Sequence, residues 1–221
     1  MRLALLTHEP FYPPSGGGSA AALYLVREWV RRGHVVEVFG PELPHASEVE
    51  AEFGIRLRPF TRWAMSRTTP LRTPKYLAYP FALARMVREA VAAGATYDAL
   101  VAQHSISAVA AGLLRTQLRV PVVFNLLDCL TGFMETWPPL LMPRPIARAL
   151  VRYELGLPQR YQADGVLTVS DELRNRIVAR GYPAARVLAA YYGFDADRFT
   201  PSARHHESPP GTAPMVVMHG S

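Results

Sequence analysis

The chain has 221 residues, 49% of them apolar, which suits one large domain or two small ones with a sizeable core. Its single cysteine, Cys129, excludes an internal disulfide and a cysteine-based zinc site. The opening MRLALLTHEP is too short an apolar run for a signal peptide, and no run approaches the roughly 20 residues that span a bilayer, so a cytoplasmic protein is expected.

Residues 2–7 (RLALLT) read as a buried parallel strand. Pro10, Pro13 and Pro14 then force a loop that runs through Gly16, Gly17 and Gly18. Ser19 is the expected N-cap of a helix to about Arg32, with Leu23, Val26, Trp29 and Val30 on one face and Gly33 as its stop. Residues 35–39 (VVEVF) form the next strand, completing a crossover unit of the kind that builds parallel sheets. The pattern repeats: strand 55–60, helix 75–93 started or kinked by Pro80, strand 97–102, helix 104–118, strand 120–127. Residues 138–145 are proline-rich and expected to be irregular; 146–163 read as helix, interrupted at Pro158. Strand 165–169 leads to a helix capped by Ser170 with Asp171 and Glu172 in its first turn, stopped by Gly181; strand 187–190 follows. Residues 201–213 have linker composition, and 214–221 (PMVVMHGS) read as the first strand of a second domain after a first domain spanning 1–200. The expected fold class is therefore α/β, a Rossmann-like three-layer parallel sheet.

The net charge is +6, and its distribution is uneven. Between Phe53 and Arg88 there is no Asp or Glu, while arginines and a lysine alternate with aromatics such as Phe60, Trp63, Tyr79 and Phe81. Either this is a solvated surface plus a core helix, or it is a surface for anionic lipid headgroups or phosphorylated ligands. No nucleic-acid module is visible, so nucleic acid is not an expected partner.

Three stretches could carry chemistry. The Gly16–Gly18 run departs from both G-x-G-x-x-G and the P-loop, leaving two readings: backbone N–H groups approaching an anion at a helix N-terminus, or a turn that needs positive φ. Asn125 and Asp128 fall toward the C-terminal end of an apolar strand, the edge where open α/β sheets bind ligands; Asp128 is a candidate general base, or else a brace for the following loop. Ser170 opens a helix at a third strand end and is carried as a substrate-binding candidate. The seven histidines are scattered without metal-ligand spacing, and no metal is expected.

Taken in order, residues 2–7, 13–18 (PPSGGG), 32–38 (RGHVVEV), 97–102 (YDALVA), 120–123 (VPVV), 163–170 (ADGVLTVS) and 193–201 (GFDADRFTP) resemble the N-terminal half of a family 4 glycosyltransferase, a retaining enzyme of the two-domain GT-B architecture. The resemblance implies an acceptor-binding N-terminal domain facing a C-terminal domain that binds a nucleotide-sugar. The acceptor would be a glycan or a lipid-linked sugar. The loop ending in Gly16–Gly18 would point into the cleft near the donor diphosphate, and Asp128 would lie on the acceptor side, with no metal or cofactor beyond the donor. Many members carry His where this chain has Leu127, and Pro-Asn where it has Tyr191 and Tyr192. The donor-binding domain would be missing beyond its first strand, so the chain alone is expected to transfer no sugar. The alternative is a non-catalytic module or remnant that docks on anionic membrane or a phosphorylated ligand, peripheral at the inner membrane face.

Overall fold

The computed structural model describes residues 1–14, 16–60, 72–129, 132, 138–140, 142–191 and 193, with only the backbone of 72–77. The chain divides into two units, residues 1–191 and 192–221, and the second has only Gly193 among the described residues. The expected linker and the strand at 214–221 thus lie outside them.

The first unit is a seven-stranded, wholly parallel sheet in the order β3-β2-β1-β4-β5-β6-β7. The strands are β1 (Arg2–Leu6), β2 (Val35–Pro41), β3 (Arg56–Phe60), β4 (Ala99–Gln103), β5 (Val122–Leu126), β6 (Gly165–Thr168) and β7 (Val187–Ala189). The helices are α1 (Gly17–Arg31), α2 (Ala46–Phe53), α3 (Arg72–Ala92), α4 (His104–Leu118), α5 (Arg144–Leu155), α6 (Leu157–Arg160) and α7 (Asp171–Val178). The α/β expectation holds.

Strand alternation sorts the core into two layers. Ala4, Leu6, Phe39, Leu100, Phe124 and Val166 face the helices from α3 onward, in one buried cluster with Leu83, Leu114, Leu155 and Ile177. Leu5, Val36, Val38 and Val101 face α1 and α2, against Ala22, Leu23, Val26 and Val49. The right-handed crossover rule explains the division: connections stepping from β1 toward β3 lie on one side of the sheet, and those stepping from β4 toward β7 on the other.

Four sequence readings need correction or sharpening. Ser19 is not the N-cap of α1; Gly16 is, and Ser19 sits three residues in, where its hydroxyl accepts from the Gly16 N–H and donates to the Gly16 carbonyl, both at 3.1 Å. Helix α2 was not expected, because ASEVEAEF buries a single residue, Val49, and shows almost no apolar stripe. The helix expected over 146–163 starts earlier, at Arg144, and breaks at Gly156; Pro158 falls in the first turn of α6, where its missing N–H costs nothing. Pro80 lies inside α3 rather than at its start. Ser170 caps α7 as expected, accepting from the Leu173 N–H at 3.2 Å.

Candidate functional site

The strand order reverses between β1 and β4: the chain steps outward from β1 through β2 to β3, then returns to place β4 on the other side of β1. Ligands of open α/β sheets bind beyond the strand C-termini at such a point. Two connections meet there: the one from β1 to α1 (His8, Glu9 and Gly16–Gly18) and the junction of β4 with α4 (Gln103, His104). Asp128 joins them from the end of β5.

His104 is the centre of this corner. It is 3% exposed, and its backbone lies in the left-handed region at φ 61°, costly for a residue with a Cβ. Its Nε2 stands 3.6 Å from Glu9 Oε2, and its Nδ1 3.4 Å from Asp128 Oδ1. Burial opposes the charged imidazolium, but the Asp128 and Glu9 carboxylates outweigh it and push the pKa up to about 9. The neighbouring His8, its ring centroid 5.5 Å away and edge-on, goes the other way: burial first, then the His104 charge, push it down to about 4. Near neutral pH the corner therefore holds one imidazolium between two carboxylates, beside one neutral imidazole.

The three glycines have different reasons to be glycine. Gly18 packs directly on the cluster: a Cβ there would collide with Glu9 Oε2 and His104 Nε2, and its carbonyl accepts from Gln103 Nε2. At Gly16 and Gly17 a Cβ would meet nothing within 4 Å. Gly16 is extended at φ 178°, and none of the three lies in the positive-φ region. The reading of this loop as a turn that needs positive φ is thus wrong. Among the described residues nothing demands glycine at 16 and 17, and both are exposed at the first turn of a helix, where N–H groups lack intrahelical acceptors.

Asn125 is 4% exposed, paired in register with Gln103 on the sheet face toward α1. Among the described residues Asn125 Nδ2, Gln103 Oε1 and Ser107 Oγ are buried without a hydrogen-bond partner. Buried polar atoms of this kind call for a partner such as an ordered water or a bound polar group. Asp128 is exposed, its side chain 59% accessible, and Leu127 beside it is buried. Ser170 stands at the end of β6, committed to capping α7, with no contact to His104 or Asp128 among those described.

Sequence reasoning missed His8, Glu9 and His104, although each lies within three residues of the C-terminal end of a strand, the same signal that singled out Asp128. The described part of the basic stretch is also less free than its sequence suggests. Arg56 and Arg58 share the buried Glu37 at 3.8 and 3.2 Å, and Arg85 pairs with Glu89 at 2.7 Å. Phe60 and Tyr79 pack together in the core. Residues 61–71, with Trp63, lie outside the described residues. Among the described residues no three His, Cys, Asp or Glu side chains converge as a metal site, and no helix is long and apolar enough to cross a membrane.

A wholly parallel sheet with this strand order, flanked by helices on both faces, defines a Rossmann-like α/β domain. The chain belongs to the family described as "Glycosyl transferase 4-like domain", whose profile matches residues 16–193. Among solved structures it is similar to HepE from Anabaena, determined with UDP-glucose, at 20% identity and TM-score 0.58, covering 89% of this chain and 45% of that one. It is similar also to sucrose-phosphate synthase from Thermosynechococcus elongatus, at 14% identity and TM-score 0.63, covering 91% and 50%. A UDP-GlcNAc 2-epimerase from Neisseria meningitidis aligns at TM-score 0.49, too low to bear on function. No curated protein matches the sequence. The chain spans about half the length of the solved structures it matches.

Proposed function

We propose that this chain is the acceptor-side half of a retaining sugar transferase that draws on a nucleotide-sugar donor. One observation carries the reading: two exposed glycines that the domain does not itself require stand beside an Asp–His–Glu cluster in the crevice at the switch point. In such a transfer the bond from the anomeric carbon to the donor phosphate oxygen breaks. A bond to the acceptor oxygen forms on the same face, and the acceptor hydroxyl gives up its proton.

The chemistry of the corner suits these tasks. Asp128 is open to the crevice, and its carboxylate can accept a hydrogen bond and then a proton from an acceptor hydroxyl. His104 is already protonated and takes no proton; its two ion pairs fix the rotamers of Asp128 and Glu9. The unpartnered amide atoms of Asn125 and Gln103 suit a hydroxyl-rich ligand. Gly16 and Gly17, at the positive end of α1, face the leaving diphosphate. Donor binding falls to a second Rossmann-like half, in keeping with similar solved structures of about twice this chain's length. The nucleotide-sugar neighbours support that assignment.

The test is nucleotide release from a nucleotide-sugar in the presence of acceptor. With the donor half supplied, Gly17→Val and Asp128→Asn should each abolish release; Gly17→Val should leave the melting temperature unchanged, because a Cβ there meets nothing within 4 Å, while Asp128→Asn should lower it by a few degrees through the lost pairing with His104. Full activity in Gly17→Val would remove the phosphate role from the loop.

A further inference from the structure

A second feature lies at the opposite edge of the sheet. Helix α7 runs back from the C-terminal end of β6, so Arg180, just past its end, stands near the strand N-termini, away from the switch-point crevice. There an open groove of about 910 Å³ is lined by Arg148, Arg152, Tyr153, Gln159, Arg160 and Arg180.

The sequence builds this groove through α5. Ala147, Val151, Glu154 and Leu155 recur at helical spacing and are buried. Arg144, Arg148 and Arg152 follow one another at four-residue steps on the solvent side. Several arginines elsewhere find acids: Arg31 and Arg32 with Glu28, Arg56 and Arg58 with Glu37, Arg115 with Asp164. None of Arg148, Arg152, Arg160 and Arg180 forms an ion pair among the described residues, and no acid lines the groove. The one carboxylate of α5, Glu154, is 3% exposed on the buried face. Beside the arginines the same helix shows water Ile146, 52% exposed, and Tyr153, 42% exposed; Leu140 in its lead-in is 95% exposed.

We propose that this face docks on a bilayer surface carrying anionic headgroups. Guanidinium groups along an open groove match a field of phosphodiesters, and each basic side chain near such a surface contributes measurably to binding. The exposed Ile146, Tyr153 and Leu140 supply the apolar side chains that settle at the headgroup boundary. A soluble phosphate would use buried, converging donors and would leave those apolar groups in water. The inference does not depend on the transferase reading, since the groove and the crevice lie at opposite edges of the sheet.

The test is sedimentation of the 221-residue chain with phosphatidylcholine vesicles, with and without about 30% phosphatidylglycerol. The chain should pellet only with the anionic vesicles and be released as salt rises. Arg148→Gln with Arg152→Gln should weaken binding about 25-fold, and Arg180→Gln alone about fivefold. Arg27→Gln, on α1 across the sheet, should bind as the unaltered chain does. Equal pelleting with neutral vesicles, no pelleting with anionic ones, or undiminished binding by the double variant would overturn the proposal. Displacement by inorganic phosphate at matched ionic strength would also overturn it, by showing a soluble-anion site.

Discussion

Replacing His104 with Asn tests the switch-point cluster directly. Asn tolerates the left-handed backbone that His104 adopts, so the substitution removes the titrating group with little added strain. In the folded chain His104 protonates with a pKa of about 9, against an unperturbed 6.5. The folded state therefore binds more protons than the unfolded state between those values. That extra stability is fully present below pH 6.5 and lost as pH rises through 9. At about 1.4 kcal/mol per pH unit the loss approaches 3 kcal/mol; solvent around the exposed Asp128 brings it nearer 2–3 kcal/mol. For a domain of this size that corresponds to roughly 5–10 °C in Tm. Thermal melts at pH 6.5 and 9.5 should show this drop in the unaltered chain and lose most of it in His104→Asn. His8 adds the opposite limb: held near 4, it makes the unfolded state the better proton binder below 6.5, so stability falls as pH drops from 6.5 toward 4. An unchanged alkaline fall in His104→Asn would refute the pairing of His104 with Glu9 and Asp128.

Gly18→Ala should destabilise the domain by about 1–3 kcal/mol, because its Cβ has no room beside Glu9 and His104, whereas Gly17→Ala should be neutral or stabilising by up to about 1 kcal/mol. Denaturant midpoints of the two variants side by side check this, and equal effects would contradict the packing. Ser170→Ala removes the α7 cap and should cost about 1 kcal/mol, read as a Tm decrease of roughly 2–4 °C. Gly112→Ala should be severe, since its Cβ would collide with the Tyr161 ring where α4 meets α6; a melting temperature near that of the unaltered chain would show that Tyr161 can move aside.

Much of the fold is legible in the sequence because parallel strands buried on both faces leave apolar runs such as RLALL and VVFNL that punctuation by glycine and proline sets off. Helix α2 is not, because a short surface helix that packs through only Val49 and the partly buried Phe53 has little periodicity to read. Asp128 is legible as a strand-end carboxylate, but its partnership with His104 depends on β4 and β5 lying side by side. Glu9 and His104 come together through the pairing of β1 with β4, which are separated by most of a hundred residues of chain. The partner of Arg56 and Arg58 in the basic stretch is hidden for the same reason: both share Glu37, on β2, from outside the segment. The groove at α5 escapes a reading of charge runs because its arginines come from three separate segments.

Nucleotide release from a nucleotide-sugar, measured with the chain alone and then with a donor-binding half supplied, bears most directly on the proposed transferase role. The account predicts no release by the chain alone, release when both halves and acceptor are present, and loss of that release in Asp128→Asn. Turnover by the 221-residue chain on its own, or undiminished release by Asp128→Asn, would contradict it.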